Sequence, residues 1–85
     1  MKTVEEYMKL PYKLEIIPDT DEPGFIASYP ELPGCITCAE NISQAVLNAE
    51  DAKREWLCTA LENGTEIKLP QNIEAYSRQF KMYSR

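Results

Sequence analysis

Residues 29–35 read Tyr-Pro-Glu-Leu-Pro-Gly-Cys, and the way this stretch must bend decides the fold. Pro33 fixes φ near the value needed at the second position of a type II turn, and Gly34 accepts the positive φ that follows. Pro33 and Gly34 therefore form a structural turn at which the chain reverses. Pro30 has no N–H to give to a sheet ladder, so a strand arriving from the N-terminal side ends at Tyr29 and the next begins only after Gly34.

Working outward, Phe25 to Tyr29 is the strand entering the turn and Cys35 to Ala39 the strand leaving it. Upstream, Tyr12, Leu14 and Ile16 alternate with Lys13 and Glu15, the pattern of a half-buried strand, although Ile17 breaks the alternation. The segment Pro18-Asp19-Thr20-Asp21-Glu22-Pro23-Gly24 is polar and turn-rich, so the first two strands form a hairpin with a long tip. Thr3-Val4-Glu5-Glu6 has the form of a capping box, predicting a short helix to about Lys9 that Pro11 stops. Asn41 with Gln44 three positions on predicts the start of a long helix, and Asn63-Gly64 its end. Its apolar stripe runs through Ile42, Ala45, Val46, Ala49, Trp56, Leu57, Ala60 and Leu61, with Trp56 as the largest anchor. Lys53 falls inside the stripe and is expected to snorkel, and Glu50 and Arg54 are spaced for an i,i+4 pair. Ile67 to Leu69 could add a short edge segment before Pro70. The expected fold is α+β, in the order α-β-β-β-α, with a three-stranded antiparallel sheet packed on one long helix and an optional extra terminal strand.

Eighty-five residues give room for one domain and a modest core, so self-association to a homo-oligomer, dimer or tetramer, is expected. With 44% apolar and 27% charged residues, no long apolar run and no basic-then-apolar leader, the chain reads as soluble and cytoplasmic, with no membrane partner. Charge is uneven. Residues 76–85 carry Arg78, Lys81 and Arg85 with no acid, so the formal −5 divides into +3 there and −8 over residues 1–75. The latter stretch is read as the domain and the former as a basic tail or strand. An acidic body repels phosphate backbones and attracts basic proteins, which argues against direct binding of nucleic acid.

The chain has no histidine, which removes Ser-His-Asp and Cys-His catalysis and the commonest metal ligand. Cys35-Ile36-Thr37-Cys38 has C-x-x-C spacing, but residues three apart on a strand face opposite ways and no second pair completes a tetrahedron. A thioredoxin-type pair needs its first cysteine at a helix start, and here the helix begins only after Asn41. Cys35 and Cys38 are therefore expected to be core or half-core thiols, with Cys58 on the flank of the helix and no disulfides. Asp19, Asp21 and Glu22 lack EF-hand spacing, and the expectation is no catalytic, metal or cofactor site. Asp19, Asp21, Glu22, Glu31 and Leu32 are the candidate partner-binding residues.

A strand from Tyr12 to Pro18, the Gly24-Phe25-Ile26-Ala27 strand, the Pro30-Glu31-Leu32-Pro33-Gly34-Cys35 turn and the Asn41-Ile42-Ser43-Gln44-Ala45 helix entry follow in an order and spacing that resembles the N-terminal domain of HicB-type antitoxins. The likeness covers residues 3 to about 70. Ala39-Glu40-Asn41 stands where the family usually has Gly-Asp-Thr, a departure that keeps the capping chemistry. The resemblance implies a partial RNase H-like fold and an antitoxin that blocks a HicA-type toxin, a small basic mRNA-cleaving ribonuclease, by covering its RNA-binding face. RNase H catalysis needs several carboxylates converging on metal ions, and the first strand offers only Glu15, so that activity does not carry over. In longer members a Tyr-Ser-x-x-Phe segment like Tyr76 to Phe80 leads into a small DNA-binding domain. The sequence ends there, so the expectation is that such a domain is either cut away or lacking, and the residues present do not support promoter binding. The alternative reading is a stand-alone HicB-like oligomeric module without a toxin, and a third is an enzyme of RNase H-like ancestry.

Overall fold

The computed structural model describes residues 2–70. Helix α1 spans Val4–Met8, strands β1, β2 and β3 span Glu15–Pro18, Phe25–Ser28 and Ile36–Ala39, and helix α2 spans Ile42–Asn63. The sheet is an antiparallel meander in the order β1-β2-β3, so the α+β, α-β-β-β-α architecture expected from the sequence is the one observed. The first and third strands are shorter than the alternation suggested. Tyr12 and Leu14 nevertheless lie on the inner side, buried and half-buried, in line with Ile16. Pro18 closes β1, an edge strand, where a missing N–H costs no ladder bond. Ile67 to Leu69 forms no strand, although Ile67 packs on the core. The expected terminal strand and the tail from 76 lie outside the described residues.

The local signals act as their chemistry requires. Gly34 has φ 83°, and the Cys35 N–H donates to the Leu32 carbonyl at 2.9 Å, which closes the turn around Pro33 and Gly34. The Tyr29 N–H donates to the Cys35 carbonyl at 3.0 Å and ties the loop at its base. Thr3 and Glu6 make both halves of a capping box on α1. Asn41 Oδ1 accepts from the Gln44 N–H, and Gly64, at φ 69°, ends α2 in the left-handed conformation.

The core lies between the sheet and α2. Ala27, on β2, is fully buried against Ala45 and Ala49, whose small side chains let the helix approach the sheet closely. Leu57 and Leu32 are the largest fully buried side chains. The buried positions of α2 are Ala45, Ala49, Lys53, Leu57 and Ala60, so the stripe expected from the sequence is narrower than drawn: Ile42 and Val46 are exposed.

Gly24, just before β2, is the most closely approached of the three glycines. It has φ 130°, and a Cβ there would lie 2.6 Å from the Ala39 carbonyl oxygen on β3. Gly34 and Gly64 have open space around them, so only their φ disfavours a side chain. Gly24→Ala therefore carries both strain and a backbone clash and should destabilise by about 2 to 4 kcal/mol, against about 1 kcal/mol for Gly34→Ala. Thermal melts of the two variants check the order; equal melting temperatures would contradict the close approach of β2 and β3.

Candidate functional site

The candidate partner residues fall into two groups that the sheet holds apart. Asp19, Asp21 and Glu22 occupy the β1–β2 tip, where the Asp19 N–H donates to the Gly24 carbonyl at 3.0 Å and the Asp21 N–H to Asp19 Oδ1 at 2.9 Å. This tip lies beside Ala39 and Glu40, at the start of α2. Glu31 stands at the other end of the sheet, in the loop that joins β2 to β3, and its Oε1 accepts the Lys13 N–H at 2.9 Å. Leu32 is 1% exposed, so the assignment of its side chain to a partner surface is corrected: it is core. The turn places it there because the Leu32 N–H is drawn back to the Tyr29 carbonyl while its own carbonyl receives Cys35.

Inside, the structure builds a feature that periodicity alone did not show. Lys53 is 5% exposed, and instead of snorkelling to solvent it turns inward. Its Nζ donates to the Met8 carbonyl at 3.2 Å and lies 5.2 Å and 4.9 Å from the ring centroids of Tyr12 and Tyr29. The negative faces of two aromatic rings and the carbonyl at the end of α1 replace the water an ammonium would otherwise keep. Burial lowers the Lys53 pKa and raises those of Tyr29 and Cys35. Tyr12 is pushed up to about 12, chiefly by burial, and its hydroxyl donates to the Lys68 carbonyl at 2.5 Å. Helix α1 buries no residue of its own and is held on α2 by this lysine and by an ion pair of Glu5 with Arg54. Arg54 thus reaches α1, where the sequence suggested a pair with Glu50; the Glu5 carboxyl is held below its usual range by that guanidinium.

The raised tyrosine pKa has a consequence for stability. A phenol whose folded pKa is about 12 against 10 unfolded contributes stability that is fully present below pH 10 and is lost as pH rises through 12. For Tyr12, 7% exposed, the loss is about 2 kcal/mol. Tyr29 and Cys35 act in the same sense and Lys53 in the opposite one. Tyr12→Phe isolates the effect. It should lose about 1 kcal/mol at neutral pH with the hydrogen bond to Lys68, then decline about 2 kcal/mol less than the parent between pH 10 and 12. Parallel stability curves across that range would show that Tyr12 does not titrate as described.

Trp56, expected as the largest anchor of the helix stripe, is half-buried, and its Nε1–H donates to the Pro33 carbonyl at 2.7 Å, joining α2 to the turn. Beside it a cleft of about 360 Å³ opens between the Pro33 turn, the last turns of α2 and residues 65–68. On the far face of the sheet, Ile17, Ile26 and Cys38 stand in one row across the three strands, with Ile36 in the next. Ile17 and Ile36 are more than half exposed. Cys35 is buried as expected, whereas Cys38 is exposed rather than half-core because strand alternation turns it to this outer face, and Cys58 is exposed on α2. All three thiols are free. Among the described residues no group of three or more acidic or thiol side chains is placed to hold a metal ion. Nor is any helix among them long and apolar enough to cross a membrane.

Fold and surface together define a small two-layer α+β domain with acidic groups at both ends of its sheet and one bare sheet face. The chain belongs to the HicB-like antitoxin family of bacterial toxin-antitoxin systems, whose pattern matches residues 12–84. Helix α1 lies ahead of the matched region, and the basic tail lies almost wholly inside it. The chain is also similar to an uncharacterized 14.9 kDa protein in the rep-hol intergenic region of Haemophilus phage HP1 (strain HP1c1), with 34% identity over 56 residues. That match covers 66% of this chain and 42% of the phage protein, so the chain spans less than half of that relative's length. No solved structure matches the chain.

Proposed function

We propose that this protein is the antitoxin of a type II toxin-antitoxin pair and neutralises a HicA-type mRNA-cleaving ribonuclease by covering its RNA-binding face. The family match over residues 12–84 is the observation that carries this reading. Charge supports it: residues 2–70 hold thirteen acidic and six basic side chains, and one of the six, Lys53, is buried. Such a surface is attracted to a protein that binds RNA and repelled by RNA itself, so the domain can displace substrate without binding it. The chain then needs no catalytic group, metal or cofactor, acts in the cytoplasm where the toxin's mRNA substrate lies, and does not itself bind nucleic acid. A homo-oligomer is the expected working form, because the bare row of Ile17, Ile26 and Cys38 leaves one face of a small sheet without a second layer. That row also favours the second reading, an oligomeric HicB-like module without a toxin.

The separation of the acidic groups sharpens the test. Asp19→Asn, Asp21→Asn and Glu22→Gln together neutralise the tip, and Glu31→Gln neutralises the other end. Both sets keep the side-chain oxygens that accept from Asp21 and Lys13, so melting should hardly change. The set that faces the toxin should slow association roughly two- to tenfold and flatten its salt dependence, and the other should not. Unchanged rates for both sets would place the interface on neither end of the sheet.

A further inference from the structure

We infer that the cleft beside Trp56 is a receptor for an arginine side chain of a basic protein partner, an assignment that rests on the antitoxin reading and names a point of contact within it. Three segments form its walls, and each is pinned. The Pro33 carbonyl accepts the Trp56 Nε1–H at 2.7 Å, Glu31 Oε1 accepts the Lys13 N–H at 2.9 Å, and the Lys68 carbonyl accepts the Tyr12 hydroxyl at 2.5 Å. The cleft is thus formed before anything enters it, which lowers the ordering cost of binding. Its lining combines an indole with the carboxylates of Glu31 and Glu66 and the small side chain of Thr59. An indole is the best aromatic partner for a cation, and a planar guanidinium can stack on it while its N–H groups reach a carboxylate. Lys68, also in the lining, is outnumbered by the two acids there and by the thirteen to six ratio over residues 2–70. Tryptophan and arginine are also the residues that most often concentrate binding energy at protein interfaces.

Trp56 is the only tryptophan of the chain, so its single indole N–H resonance reports on this cleft alone. The full-length ¹⁵N-labelled protein is titrated with the capped tripeptide Gly-Arg-Gly and with its neutral isostere Gly-citrulline-Gly at constant ionic strength. The arginine peptide should shift the indole resonance saturably and the citrulline peptide should not. Glu66→Gln should weaken the arginine response about two- to fivefold. Thr59→Arg, which places a tethered guanidinium at the cleft, should abolish the response without lowering the melting temperature. An equal response to both peptides, or none, overturns the assignment. A response seen only after Arg78, Lys81 and Arg85 are changed to Gln also overturns it, because the occupant is then the chain's own tail. Neutralisation of the ribonuclease is measured separately in cells: rescue without an arginine response defeats this inference alone, and an arginine response without rescue defeats the antitoxin reading.

Discussion

Lys53→Glu is expected to cost about 3 to 5 kcal/mol, the effect of leaving a buried charge with no compensating partner. In the parent the ammonium is held by the Met8 carbonyl and by the faces of Tyr12 and Tyr29, groups that all present partial negative charge. A carboxylate at the same place reverses every one of these interactions and weakens the docking of α1, which has no fully buried residue and keeps only its half-buried side chains and the Glu5–Arg54 pair. Lys53→Met keeps the packing of the stem and removes only the charge, leaving the Met8 carbonyl without its donor, for about 1 to 3 kcal/mol. Urea unfolding followed by circular dichroism should rank parent, Met and Glu in that order. A Glu variant as stable as the Met variant would mean that the lysine is not held as a buried cation.

Leu57→Ala should cost about 3 to 5 kcal/mol, because Leu57 is fully buried on α2 and the residues around it cannot collapse fully into the space it leaves. Domains of this size are stable by only about 5 to 10 kcal/mol, so the variant should lose much of its unfolding free energy and melt tens of degrees lower. Trp56→Ala, in contrast, opens onto the cleft and solvent, with no closed cavity, and should cost about 2 kcal/mol through lost contact and the hydrogen bond to Pro33. A larger loss for Trp56 than for Leu57 would make the indole the main anchor of α2.

The elements legible in the sequence are those whose chemistry is local. Pro33-Gly34, Thr3 with Glu6, Asn41 and Gly64 each set a backbone conformation within three or four residues, and each acts in the structure as its type dictates. The three strands and their order follow from where these signals interrupt the chain. What the sequence obscured depends on contacts between distant segments. Lys53 was visible as a charge inside an apolar stripe, but its inward course depends on Met8, 45 residues earlier, and on two tyrosines from different segments. Leu32 sits beside a half-buried glutamate in a loop, where only the pair of turns at Tyr29–Leu32 and Leu32–Cys35 shows that it points inward. Four acids close in composition and chain position looked like one surface, and the antiparallel course of β2 places them at opposite ends.

Whether this domain neutralises a basic ribonuclease by binding it is measured directly by following RNA cleavage by a HicA-type toxin, with and without the purified chain. Neutralisation by binding requires that cleavage stop at a fixed stoichiometric ratio of chain to toxin, that the two proteins then elute as one complex, and that rising salt slow their association. Undiminished cleavage in the presence of excess folded chain, with the two proteins eluting apart, would contradict it.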